Sequence, residues 1–175
     1  DKVRNFTLNA APGGADTTKP VINGTINNTA PKRFEIINAT FNITDETGLS
    51  SANITFNLSG PNSYNFSFTL SGTSAQISQN ITINLTRGAV INVTGFARDT
   101  SGNVKQNSTI ITVANTPPPN VTLVSPKTSN FTINRTPTFT WNNVTDADND
   151  SLLFNIQIIC VECSSDNRDV NTTNL

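Results

Sequence analysis

Apolar residues in this chain recur at every second position. Tyr64, Phe66, Phe68 and Leu70 fall on one side of an extended segment, with Asn65, Ser67 and Thr69 on the other. Ile81, Ile83 and Leu85 alternate in the same way with Asn80, Thr82, Asn84 and Thr86. Period two is the period of a strand, and one apolar face with one wet face implies antiparallel pairing. No window of about 12 residues carries a 3.6-residue apolar repeat, and strong helix formers are scarce: Glu is rare and Met absent. The chain reads as all-β.

Turn signals divide the pattern into strands. Between Lys19 and Val113 the expected strands are Val21–Ile26, Arg33–Thr44, Ser51–Ser59, Tyr64–Leu70, Gln79–Thr86, Ala89–Arg98 and Ser108–Val113. Seven strands in about 95 residues is the content of an immunoglobulin-like sandwich. Before them, Val3–Leu8 alternates as a short strand and residues 10–18 read as a linker. After them, Thr116-Pro117-Pro118-Pro119 is stiff and cannot join a sheet ladder. A second block follows with strands at Asn120–Ser125, Thr136–Asn142 and Ser151–Cys160, anchored by Trp141. Three strands cannot close a sandwich. The expected organisation is thus an orphan strand and linker (1–18), a β-sandwich (19–115), a Pro-rich linker (116–119) and an incomplete second β-sandwich (120–175). A chain that opens at Asp1 reads as a processed product or a fragment.

Charge and composition exclude several functions. Charged residues are 13% of the 175 and the net charge is −1, against a usual charged share of about 25%. Such a chain has no electrostatic footprint for nucleic acid or an anionic membrane. It contains no His, the commonest general base and metal ligand. No apolar run approaches the ~18 residues of a membrane span. Ser and Thr abound, but there is no His to activate them and no G-x-S-x-G. Apart from the acidic turn considered below, the paired carboxylates are Asp45-Glu46. The reading is of a non-enzyme.

Asn, Thr and Ser number 27, 27 and 15. Asn-x-Ser/Thr with x not Pro occurs 18 times, where shuffling gives about six or seven. The acceptors are Asn5, Asn23, Asn27, Asn38, Asn42, Asn53, Asn57, Asn65, Asn80, Asn84, Asn92, Asn107, Asn120, Asn130, Asn134, Asn143, Asn149 and Asn171, with Asn149, inside an acidic turn, the weakest. On a strand, Asn and the Thr two residues later share a face. Asn is depleted in strands, so filling solvent-facing positions with it needs a reason beyond folding. N-glycosylation supplies one, and a glycan coat would also shield charge-poor sheet edges. Shared periodicity on β-faces accounts for part of the excess.

Two motifs carry resemblance. Asp16-Thr-Thr-Lys-Pro-Val-Ile22 opening a domain, with Ala97-Arg-Asp-Thr-Ser-Gly-Asn-Val104 before the last strand, resembles the Ig-like repeats of archaeal and bacterial cell-surface proteins. Pro137-Thr-Phe-Thr-Trp-Asn142 followed by Asp146-Ala-Asp-Asn-Asp-Ser-Leu152 resembles the front half of a fibronectin type III module, and Arg4–Leu8 resembles the closing strand of one. The resemblance implies an Ig-like sandwich followed by a partial fibronectin III-like domain, and says little of function.

Smaller constellations remain. Cys160-Val-Glu-Cys163 lacks the further ligands of a zinc site and the βαβ context of a redox motif. Outside the cell the pair forms a local disulfide, with free thiols the alternative. Asp146, Asp148 and Asp150 alternate as in the first part of a calcium loop, without its Gly and distal Glu. They read as an Asp-rich turn or as a weak Ca2+ site, and no other cofactor is expected. Asp99–Asn103 reads as a turn.

The expected function is structural: an extracellular, N-glycosylated segment or subunit of a surface filament, stalk or S-layer-type array. Its partners are copies of itself or neighbouring domains, joined head to tail by strand exchange between the leading strand and the incomplete sandwich. The alternative is an adhesin or ligand-binding Ig-like module. Pro31-Lys32-Arg33 is its only exposed basic cluster.

Overall fold

The computed structural model describes residues 14–58, 63–127, 136–158 and 168–172. All regular structure among them is strand, and no helix among them is long and apolar enough to cross a membrane. The strands are β1 (Val21–Ile26), β2 (Ile36–Thr44), β3 (Leu49–Leu58), β4 (Ser63–Thr69), β5 (Ser74–Thr82), β6 (Val90–Asp99), β7 (Val104–Thr112), β8 (Leu123–Ser125), β9 (Thr140–Trp141), β10 (Phe154–Ile158) and β11 (Arg168–Thr172). The described residues fall into two compact units. One takes those up to Thr29 with Ile36–Thr82 and Val90–Ile111; the other takes Ala30–Glu35, Ile83–Ala89 and those from Thr112 onward.

The first unit is an antiparallel β-sandwich of a three-stranded sheet, β1-β2-β5, and a four-stranded sheet, β4-β3-β6-β7. The alternation read from the sequence is the alternation of burial. On β2, Ile37, Ala39, Phe41 and Ile43 are buried, and on β3, Ala52, Ile54 and Phe56 are. Ile91, Val93 and Ala97 of β6 complete the opposing layer. Phe41 and Phe56 are the largest side chains in this core, and two glycines make room for Phe41. A Cβ on Gly24, its direct neighbour on β1, would lie 2.4 Å from the ring, and one on Gly95 of β6 would lie 2.3 Å from it.

Several strand ends differ from the sequence reading. β2 begins at Ile36 and not Arg33, because Phe34 takes φ 69°, outside the extended region. β5 starts earlier than expected, at Ser74, because residues 74–78 pair with Thr40–Thr44 of β2, with Ala75 and the buried Ile77 facing inward. It ends at Thr82 because that residue pairs with Ile36, the first residue of β2. Residues 83–86 nonetheless keep the alternation, Ile83 buried and Asn84 and Thr86 exposed. Tyr64 belongs to edge strand β4 and is exposed, while Phe66 packs edge-on against Phe56 with ring centroids 6.2 Å apart.

In the second unit, β8 pairs with β9 and β10 with β11, both antiparallel. Trp141 packs against Phe154, ring centroids 5.9 Å apart. The sequence reading gave this block three strands; β11 is a fourth. Arg168-Asp-Val-Asn-Thr172 holds one apolar residue, too few to reveal a strand by pattern. Val3–Leu8 and the Cys160–Cys163 pair lie outside the described residues.

Gly95→Ala is expected to destabilise the chain by about 1–3 kcal/mol, because the added methyl overlaps the Phe41 ring in a packed core. Chemical denaturation measures it. Combining it with Phe41→Leu should cost less than the two single changes added, since the smaller side chain vacates the contested space.

Candidate functional site

Two features of the described residues carry chemistry: the polar faces of the sheets and the Asp-bearing turns. Fourteen of the sequon asparagines have described side chains, and none is buried; Asn38, Asn53 and Asn107 are half-buried and the other eleven are exposed. Pairing registers group them. Asn23 lies directly opposite Asn42, Asn38 opposite Asn80, and Asn57 opposite Asn92. On the four-stranded sheet, Asn53, Asn57, Asn65 and Asn92 line one shallow hollow with Thr55 and Thr94. The Asn–Thr spacing that makes a sequon is also the spacing that puts both side chains on one face.

Their hydrogen bonds distinguish them. Asn38 Nδ2 donates to Ser78 Oγ (2.7 Å) and Asn80 Oδ1 (2.6 Å), which uses both amide hydrogens. Asn80 therefore engages its neighbour through oxygen. Asn42 and Asn65 do the same, accepting from Gln76 Nε2 (2.8 Å) and Thr55 Oγ1 (3.1 Å). Asn149 sits in a tight turn at φ 61°. Asn5, Asn130 and Asn134 lie outside the described residues, and Asn171 is placed on β11.

Antiparallel pairing brings the start of β1 beside the end of β2, through Val21↔Thr44, and the start of β3 beside the end of β6, through Leu49↔Asp99. Asp16, Asp45 and Asp99 are thereby collected at one end of the first sandwich, one ligand oxygen from each within 4.8 Å of the others. Asp45 and Asp99 are buried and Asp16 half-buried. Asp45 Oδ1 accepts from the backbone N–H groups of Thr47 (3.0 Å) and Gly48 (2.9 Å) and from Thr47 Oγ1 (2.8 Å). Its Oδ2 is buried and has no hydrogen-bond partner. Asp16 Oδ1 accepts from Thr18 N–H (2.8 Å) and Oδ2 from Thr47 Oγ1 (2.7 Å). Asn103 donates its backbone N–H to Asp99 Oδ1 (2.7 Å) and its Nδ2 to Asp99 Oδ2 (2.8 Å), and that Nδ2 also reaches the Asp16 carbonyl (3.1 Å). Gly48 at φ 144° and Gly102 at φ 93° let the two turns fold this tightly.

These donors favour the ionised forms of Asp45 and Asp16. The Gly48 N–H holds Asp45 below the ordinary value of 3.8, with help from Thr47 and against burial and the neighbouring Asp16 charge. The Thr47 hydroxyl and the Thr18 N–H lower Asp16 in the same way. From the sequence, Asp45-Glu46 reads as a carboxylate pair, Asp99–Asn103 as a turn and Asp16 as the opening of a domain motif, with nothing to connect the three. The overlooked signal is a repeated grammar, Asp16-Thr-Thr, Asp45-Glu-Thr-Gly and Asp99-Thr-Ser-Gly, in one entering segment and two turns that pairing gathers at one end.

The acidic turn that did attract attention is built differently. Asp146 Oδ1 accepts from Asp148 N–H (2.7 Å) and from Asp150 N–H (3.3 Å), closing the turn on itself. Asp148 accepts from Arg87 N–H (3.1 Å) and Thr116 N–H (2.7 Å), and Asp150 forms an ion pair with Arg87 at 3.0 Å. Arg33 donates to the Ala147 carbonyl. The turn thus staples residues 33, 87 and 116 of the second unit together.

No protein-family model matches the chain, and no curated protein matches it. Among solved structures, the sporulation control protein Spo0M of Bacillus subtilis aligns over 55% of this chain and 50% of its own, at 12% identity and a TM-score of 0.38. The chain thus spans half the length of that protein.

The Thr116 N–H, then Arg87 N–H, hold Asp148 below 3.8 despite burial. Because the folded value is depressed, the stabilisation is fully present above the unfolded value and is lost as pH falls through the folded one. Asp148→Asn should therefore lower stability at neutral pH. The gap between variant and wild type should narrow below about pH 4, as read by denaturant unfolding across that range.

Proposed function

We infer that this chain is a non-enzymatic structural segment of an extracellular surface array, an Ig-like β-sandwich followed by a fibronectin III-like half-domain, with N-glycans on its sheet faces. The observation that carries the reading is the placement of the sequons. Eighteen acceptors occur where composition gives about six or seven, and no described acceptor is buried. An antiparallel sandwich with sheets of three and four strands supports the Ig-like assignment. A coat of neutral sugar accounts for Asn at exposed strand positions, where folding alone disfavours it.

Head-to-tail assembly rests on the second unit. Val121, Leu123, Trp141, Leu153, Phe154 and Ile156 line an open cleft of about 300 Å³, and Leu153 is 64% exposed. A strand whose alternate residues are apolar fits such a cleft by adding to a sheet edge. Val3–Leu8 of another copy, with Phe6 and Leu8 on one face, is the occupant this reading names. A contact of that kind does not close on itself and propagates as a filament.

Two measurements test the reading. Intact mass of native material before and after deglycosylation, with peptide mapping, should show sugar well above the bare 18.8 kDa. Within opposed pairs the map should find Asn80 occupied in preference to Asn38, whose amide hydrogens are both engaged. A mass equal to the bare chain overturns the glycan reading. Separately, Phe6→Asp should abolish concentration-dependent association in sedimentation; unchanged association rules out strand exchange through Val3–Leu8.

A further inference from the structure

We propose that Asp16, Asp45 and Asp99 form a Ca2+ site at one end of the first sandwich. Three observations point there. The first is spacing: the three carboxylates offer ligand oxygens within 4.8 Å of one another, a spread that one ion with Ca–O distances of about 2.4 Å spans with small adjustments. The second is an orphan. Asp45 is 6% exposed, and its Oδ2 is buried with no donor, although its Oδ1 collects three. A buried carboxylate oxygen left bare is an expensive arrangement in a folded protein, and a cation removes the deficit. The third is a shortage of hydrogens. Thr47 Oγ1 lies 2.7 Å from Asp16 Oδ2 and 2.8 Å from Asp45 Oδ1, yet a hydroxyl carries one proton and serves one of them at a time. Among the described residues no Lys or Arg forms an ion pair with any of the three.

The donor set selects the ion. All ligands are hard oxygens, without His or Cys, which favours Ca2+ or Mg2+ over transition metals. Mg2+ demands near-octahedral geometry at about 2.0–2.1 Å, whereas Ca2+ accepts irregular sets of 6–8 oxygens at longer range. These carboxylates are held by Asn103, Thr18 and the Gly48 turn and cannot draw in closely, so the larger ion fits. Bound Ca2+ would tie the segment that enters β1 to the β2–β3 and β6–β7 turns, making the entry to the sandwich rigid in calcium-rich surroundings. A site of this kind in an extracellular module binds in the range of about 10⁻⁴–10⁻³ M.

The test is calorimetric titration of CaCl2 into the chelator-treated full chain, with thermal unfolding in millimolar CaCl2 or MgCl2. One Ca2+ per chain and a rise in melting temperature with Ca2+ but not Mg2+ are expected. Asp16→Asn should weaken Ca2+ binding about tenfold or more, with circular dichroism of the Ca2+-free variant showing that the sandwich is intact. Asp99→Asn should weaken binding likewise, and Asp150→Asn should not. No heat and no shift with wild type overturns the site. So does an equal shift with Mg2+, undiminished affinity in Asp16→Asn and Asp99→Asn, or loss of binding in Asp150→Asn.

Discussion

The close approach of Phe41 to Gly24 and Gly95 sets the geometry of the first sandwich. The ring fills a space that any Cβ at either glycine would enter, so the thickness of the core is fixed there to a fraction of an ångström. Register follows from it. A one-residue slip of β1 against β2 would move Gly24 from beside the ring and turn the buried Ile22 toward water. The side chains flanking Phe41 on β2, Ala39 and Ile43, are smaller, and the opposing residues Val93 and Ala97 flank Gly95. One large ring among small neighbours gives a core that interdigitates, which a chain of modest apolar content needs.

With the core so defined, the outer faces are free of packing duty and carry neutral polar groups. Cross-strand contacts there are amide and hydroxyl bonds, such as Asn38 to Asn80, Gln76 to Asn42 and Thr94 to Ser108, in positions where many proteins place ion pairs. Such bonds are indifferent to salt, unlike surface ion pairs, which are screened. The edges carry few of the charged residues that usually discourage edge-to-edge pairing, Lys105 of β7 being one. The proposed glycans would supply that protection by bulk.

The sandwich was legible in the sequence wherever apolar residues alternate strongly. β1 is bounded as the alternation predicts, and β3 and β6 lie within two residues of it. Legibility failed where a partner, not local pattern, makes the strand. β5 owes its first residues to pairing with β2, and β11 is a strand because β10 lies beside it. The candidate carboxylate site was hidden for a different reason. Asp16, Asp45 and Asp99 are spread over more than 80 positions, and each is a plausible turn residue alone. Only the antiparallel register, which puts two Asp-x-Thr/Ser turns and the Asp16-x-Thr18 segment at one end, makes them a group. The Asp146–Asp150 run was conspicuous because it is contiguous, yet its buried carboxylates are satisfied by backbone N–H groups.

That contrast separates two uses of the same side chain. Six of the 12 acidic residues sit in these two clusters, so the chain's sparse charge is concentrated in turns. Around Asp148 the donors match the acceptors: each carboxylate oxygen has a backbone N–H, and the nearby Arg87 neutralises Asp150. Around Asp45 the donors fall short, with one buried oxygen bare and one hydroxyl shared between two carboxylates. A turn that existed only to reverse the chain would need no third carboxylate, and Asp16 lies outside both turns. Its presence against Thr47 adds negative charge where charge is already unmatched. That imbalance, more than the number of acids, distinguishes a place for a cation from a capped turn.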